Sequence, residues 1–145
     1  MILFWTTLLL NAEPLPANVV YFILVDRFAN GESSNDSVVD INDPQAFHGG
    51  DLSGIEAKLD YIQDLGADSL WLSPIFSMRT EKFHGHGAFH GYWVQHLDSI
   101  ENRFGGEKAL FSLSESMQKQ NMNLLLDMVY NHVSFDSPMI DAHPD

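Results

Sequence analysis

The sequence predicts an α/β fold with a parallel sheet, its elements in the order β-α-β-α-β. Three nearly continuous apolar runs carry this prediction: NVVYFILV at 18–25, DSLWLS at 68–73 and NLLLDMV at 123–129. Unbroken apolar strands, rather than alternating ones, are expected where a sheet is covered on both faces. Helical spacing fills both intervals. Between the first two runs Ile55, Leu59, Ile62 and Leu65 recur at helical intervals, with Ser53 and Glu56 as a capping box and Gly66 as the stop. Between the second and third, Leu110, Leu113 and Met117 recur in the same way, and Asn121 is the expected terminator. Parallel strands joined by helices are connected through right-handed crossovers.

The connections are unequal, and this locates the site. Asp26 to Leu52 is 27 residues and Pro74 to Gly105 is 32, whereas each return from helix to strand takes only a few. Every long loop therefore leaves the C-terminal end of a strand, where barrels and open α/β sheets both build their active sites. Three polar clusters, DRFANG, FHGYW and DMVYNH, lie at that same end.

The bulk numbers exclude several classes. A net charge of -13 with only 7 Lys and Arg makes a nucleic-acid partner unsuitable. The absence of cysteine removes disulfide and thiol chemistry. The opening MILFWTTLLLNAEP has an apolar run from Ile2 to Leu10 and a small Ala12, which resembles a short secretory leader over residues 1–17 and implies a secreted or periplasmic protein. No Lys or Arg precedes that run, so a leading strand is the alternative. No stretch reaches the ~20 apolar residues of a membrane span.

Each cluster has a functional and a plainer reading. The first loop collects oxygens: Asn30, Glu32, Asn35 and Asp36 lie close together, and Gly49 with Asp51 can return to close a cage. Calcium accepts six to eight oxygens in irregular geometry. Asn/Asp/Ser-rich turns also occur with no metal at all. The second loop, EKFHGHGAFHGYWVQH, places His84, His86, His90 and His96 among glycines and aromatics. A His-x-His pair suits zinc, as in metal-dependent amidohydrolases. His90, Tyr92 and Trp93 also suit a sugar, which has apolar ring faces and equatorial hydroxyls; ordinary packing of a glycine-rich loop is the plainer account and, on these residues alone, the leading one. Asp127 follows an apolar run and must find a donor, because an unpaired buried carboxylate is costly. Asn131 offers a side-chain oxygen to a metal and His132 a hydrogen bond to a ligand; turn capping is the plainer account of all three.

Taken together, VVYFILVDRFANG, FHGGDLSGIEAKLDYIQDLGADSLWLSPIF, FHGYW and LLLDMVYNH resemble the α-amylase family of glycoside hydrolases (family 13) over residues 18 to 145. The resemblance implies the N-terminal three strands of a (β/α)8 TIM barrel. Residues 18–135 would be its first βαβαβ part, and residues 136–145 the start of a domain inserted after the third strand. It further implies that His90, Tyr92, Trp93 and His132 contact substrate, with Tyr92 stacking on the sugar, and that Asp127 organises the strand end. Asn30, Glu32, Asn35, Asp36, Gly49, Asp51 and Asn131 fall on calcium-ligand positions, so calcium is the implied cofactor and an α-1,4-glucan the implied partner. The family commonly has Asp where this chain has His96. An eight-stranded barrel takes ~250 residues, and the family's nucleophile and acid/base follow later strands. The chain is accordingly expected to be truncated and inactive by itself. A non-catalytic relative that binds glucan or another protein is the alternative.

Overall fold

The computed structural model describes residues 19–142; the leader lies outside them. A three-stranded parallel sheet has the order β1 (Val20–Ile23), β2 (Ser69–Leu72), β5 (Asn123–Leu126). In register, Val20 pairs with Ser69 and Ser69 with Asn123, so the three strands end level with one another. All the clusters above consequently meet at one edge.

Each strand is shorter than its apolar run. At the end of β1 the Val25 N–H turns to the Ser73 hydroxyl, 3.2 Å away, instead of the ladder. The chain then winds into a single helical turn, α1 (Val25–Phe28). The expectation of a sheet covered on both faces is corrected too. Ile23, Leu70 and Leu72 are buried beneath helices, but Val20, Phe22 and Trp71 are each more than 40% exposed. Phe22 and Trp71 pack edge to face on that bare side, with ring centroids 5.1 Å apart. The continuous apolar pattern reflects two apolar faces, of which helices cover one among the described residues.

The first predicted helix is two, α2 (Leu52–Glu56) and α3 (Leu59–Asp64), separated at Ala57 and Lys58. Its cap is Asp51 rather than Ser53: Asp51 Oδ1 accepts the Gly54 N–H at 2.6 Å. Glu56, freed from a capping box, accepts the hydroxyls of Ser112 and Ser116 on α4 (Gly106–Lys119), at 3.1 and 2.6 Å. Gly66 and Asn121 do terminate their segments, both at positive φ (85° and 55°). Leu52, Ile55, Leu59 and Ile62 form the core with Leu113 and Met117 of α4 and with the sheet. Each such side chain contributes about 1.5–3 kcal/mol when fully buried.

Two elements were not expected. The interval Pro74–Gly105 carries an antiparallel pair, β3 (Phe76–Met78) with β4 (Val94–Ile100), whose register shifts twice. The residues after 135 turn into a short helix, α5 (Pro138–Ala142), rather than an open loop. Its Met139 N–H is capped by the Ser137 hydroxyl at 3.2 Å. Among the described residues no helix is long and apolar enough to cross a membrane.

Candidate functional site

Four of the predicted residues form one hydrogen-bonded group at the C-terminal edge of the sheet, with the Trp93 ring against it. The Tyr92 hydroxyl donates to Asp127 Oδ2 at 2.7 Å. That is the donor Asp127 requires, one residue beyond β5. His132 Nε2 lies 3.0 Å from the Tyr92 carbonyl oxygen. A carbonyl only accepts, so Nε2 carries the proton, and in the neutral ring Nδ1 is left as an acceptor. His132 therefore offers a neutral-state ligand an acceptor, not the donor anticipated from its type.

The same logic fixes His90. The Tyr92 backbone N–H donates to His90 Nδ1 at 3.0 Å, which leaves the proton on Nε2. The His90 ring lies nearly parallel to Tyr92 (22°, 5.8 Å) and edge-on to Trp93 (86°, 5.0 Å). The result is an amphipathic surface with flat rings and with Nε2–H and Nδ1 hydrogen-bonding positions around it. Burial holds the His90 imidazole below its ordinary pKa of 6.5. The hydrogen bond to Asp127, then burial, raises the Tyr92 phenol above 10.0. Both groups are uncharged at neutral pH.

A pH prediction follows from His90. Its depressed pKa means that the unfolded chain takes up the proton first. The associated stability is present above pH 6.5 and is lost as pH falls through the lower folded value. Protonating Nδ1 also breaks the bond to the Tyr92 N–H. NMR titration of the His90 ring in the protein should give a midpoint below 6.5, with Tyr92 amide shifts moving in step; independent Tyr92 shifts would contradict it.

The first-loop residues divide into separate groups. Asn30 Nδ2 donates to Asp36 Oδ2 at 2.7 Å, and both converge on Gly49. A Cβ at Gly49 would meet Asp36 Oδ1 at 2.7 Å and Asn30 Nδ2 at 2.8 Å, and φ is +89° there. Turning the Asn30 amide over would direct its oxygen, with the Asp36 carboxylate, to that cradle. Asn35 Oδ1 is buried without a hydrogen-bond partner, an acceptor suited to a cation. By contrast, Asp51 is already occupied. It accepts from the N–H groups of Gly31, Glu32 and Gly54 and from Asn35 Nδ2, at 2.6–3.0 Å. Exposed Glu32 folds back to accept the Ser34 N–H at 3.0 Å. Asn131 is exposed on the other loop, and among the described residues no hydrogen bond joins it to this one. Among the described residues no three His, Cys, Asp or Glu side chains are grouped to hold a metal ion. A cation in the first loop would rely on amide and backbone oxygens beside the single Asp36 carboxylate.

The His84/His86 pair is engaged differently. His86 Nδ1 meets Gln45 Oε1 at 2.7 Å, while the His84 ring packs on Phe83. His96 sits on β4 opposite Ser77.

A model of the α-amylase catalytic domain matches residues 22–143. The chain belongs to the α-amylase family. It is 39% identical to a periplasmic α-amylase of Escherichia coli, aligned over 80% of this chain and 19% of that protein. An Anoxybacillus α-amylase superimposes with a TM-score of 0.78 at 41% identity, covering 85% of this chain and 26% of the other. An α-amylase from Geobacillus thermoleovorans, crystallised with acarbose, gives a TM-score of 0.74 at 36% identity over 87% and 26%. The chain thus spans about a fifth of the length of that curated relative and about a quarter of the solved chains.

Within this α-amylase segment, sequence reasoning missed the pair that fastens the loops together. Asp26, 1% exposed, accepts the N–H groups of His48 and Gly49 and pairs with Arg27. Arg27 donates to the carbonyls of Pro44 and Ala46, both at 2.9 Å, and lies 3.8 Å over the Phe89 ring. One guanidinium therefore links the oxygen-rich loop to the loop bearing His90 and Tyr92. The signal was a charged dipeptide immediately after a buried strand.

Proposed function

We propose that this chain is the sugar-contacting N-terminal part of an α-amylase-type glycosidase that cleaves α-1,4-linked glucans with retention. In this reading residues 18–135 supply the first three strands of a (β/α)8 barrel and residues 136–145 open the domain that follows. The observation that carries it is the mutual bonding of Tyr92, Asp127, His132 and His90 into one ring-lined surface. An α-amylase similar to this chain was crystallised with acarbose, and the E. coli relative is named periplasmic. The first supports a glucan substrate and the second a secreted or periplasmic location.

The roles follow from the bonds already described. Tyr92 offers its ring face to the apolar side of a glucose unit while Asp127 fixes its hydroxyl. His132 Nδ1 accepts a sugar hydroxyl and, through Nε2, holds the Tyr92 backbone in place. His90 Nε2–H donates to another hydroxyl, and Trp93 borders the next sugar. Retention requires two carboxyl groups ~5–5.5 Å apart across the scissile bond. Asp127 is not assigned to either role, since the Tyr92 hydroxyl holds it. The reacting carboxylates are assigned to sequence outside these 145 residues, and the isolated chain is expected to release no reducing sugar. Proton NMR of maltoheptaose cleavage by the full-length protein tests the reading: α-anomers should appear first, and β-anomers or no cleavage would refute it.

Asn30, Asn35, Asp36 and Gly49 are the residues best suited to hold calcium, which when bound would cross-link the first loop. Asp51 instead organises that loop and caps α2. A chelator should lower the Tm of the full-length protein, and Asp36→Ala should remove that sensitivity. Asp51→Ala should cost about 2 kcal/mol even in chelator, through the lost cap. Melting curves with an unchanged chelator response in Asp36→Ala would overturn the assignment.

A further inference from the structure

The first loop carries a dipeptide, Asn30–Gly31, with a chemistry of its own. Both residues are exposed, and glycine has no Cβ to shield its nitrogen. An asparagine amide carbon can be reached by the nitrogen of the following residue, closing a five-membered ring. In the folded loop both partners of that reaction are held by other bonds. The Gly31 N–H donates to Asp51 Oδ1 at 3.0 Å, and the Glu32 N–H to Asp51 Oδ2 at 3.0 Å. Asn30 Nδ2 donates to Asp36 Oδ2 at 2.7 Å. Packing fixes the glycine as well. A Cβ on Gly31 would lie 2.2 Å from the Gly54 nitrogen in α2, so no bulkier residue fits there.

We infer that Asn30–Gly31 is a deamidation site that the folded loop holds closed through Asp51 and Asp36, and that opens when those bonds are released. The inference is independent of the glucan reading. In the reaction the Gly31 nitrogen attacks Asn30 Cγ. The N–Cγ bond forms, the Cγ–Nδ2 bond breaks, and Nδ2 leaves as ammonia with the proton given up by Gly31. Water then opens the succinimide at either carbonyl, which leaves aspartate or isoaspartate at position 30. Asp51 opposes the first step twice: its carboxylate holds the N–H proton, and it disfavours negative charge developing on a nitrogen 3.0 Å away. Asp36 holds the departing amide nitrogen beside Gly49. Both products loosen the loop irreversibly, as in losses that set kinetic stability. Aspartate sets a second carboxylate against Asp36. Isoaspartate lengthens the backbone ahead of Gly31 and carries the Gly31 and Glu32 N–H groups away from Asp51.

Peptide mapping by mass spectrometry tests this in the full-length protein, held at mildly alkaline pH well below its Tm, by following replacement of NH2 by OH at position 30. The chain unfolded in urea should convert more than about 10-fold faster than the native protein, because bonds to charged acceptors no longer have to open first. Native Asp51→Ala and Asp36→Ala should each convert about 10-fold faster than wild type. Asp36 is exposed, so Asp36→Ala keeps the test available should Asp51→Ala fail to fold. Met117→Ala controls for general loss of stability. It opens the core at the far end of α4 and should stay within about 2-fold of the wild-type rate. Absence of conversion at position 30 in urea would overturn the site. Equal rates in the native and unfolded protein, or equal acceleration by Met117→Ala and Asp36→Ala, would overturn its control by the loop.

Discussion

Glu101→Ala is expected to destabilise the full-length protein by about 3–5 kcal/mol, the cost of breaking a buried ion pair from one side. Glu101 and Arg103 are 6% and 7% exposed. The carboxylate accepts Arg103 Nε at 2.7 Å, Arg103 Nη2 at 3.0 Å and the N–H groups of Arg103 and Met78 at 3.1 and 3.0 Å. Removing it strands a guanidinium that packs 3.7 Å over Phe47 and already has Nη1 buried without a partner. Glu101→Gln keeps some of the hydrogen bonds and should cost less. The double change Glu101→Ala with Arg103→Met should cost less than Glu101→Ala alone, because no unpaired charge remains. Burial alone would raise the Glu101 pKa, but Arg103 and the two backbone donors outweigh it and bring it below 4.5. Its contribution is therefore present above pH 4.5 and is lost as pH falls through the folded value. Denaturant titration of the variants at neutral and acid pH measures all of this; a double variant as unstable as Glu101→Ala would refute the stranded-charge account.

His132→Ala should lower kcat/KM on maltoheptaose by about 100-fold, equivalent to ~2.7 kcal/mol of transition-state stabilisation. The size reflects two losses from one side chain. Nδ1 no longer meets the sugar, and the Tyr92 carbonyl loses the Nε2 donor 3.0 Å away that holds the platform in place. The side chain is exposed, so its removal should leave stability nearly unchanged. Tyr92→Phe separates the effects, because it frees Asp127 while keeping the ring, and it should cost less than His132→Ala. Near-normal turnover by His132→Ala would remove His132 from the subsite.

The parts of this architecture that depend on local chemistry were legible in the sequence. Parallel β1, β2 and β5, the stops at Gly66 and Asn121, and the gathering of His90, Tyr92, Asp127 and His132 all followed from apolar runs, loop lengths and residue type. What escaped depends on distant partners. Ser53 and Glu56 have the spacing of a capping box, but Asp51, fixed by donors from Gly31 and Glu32, takes the cap, and Glu56 bonds α4. The pairing of β3 with β4 has two register shifts, which remove the regular alternation that would have announced it. Arg27 and Arg103 read as ordinary charges until the rings of Phe89 and Phe47 are seen beneath them. The seven oxygen ligands suggested by resemblance separate for the same reason: Asp51 and Glu32 are engaged by N–H groups that only the folded loop delivers.

The most direct measurement is a crystal structure of the full-length protein with acarbose. A sugar ring against Tyr92, with a hydroxyl within hydrogen-bonding distance of His132 Nδ1 and the next unit beside Trp93, is the predicted result. Acarbose bound elsewhere, with the Tyr92, Asp127 and His132 group untouched, would contradict the assignment of this surface to glucan.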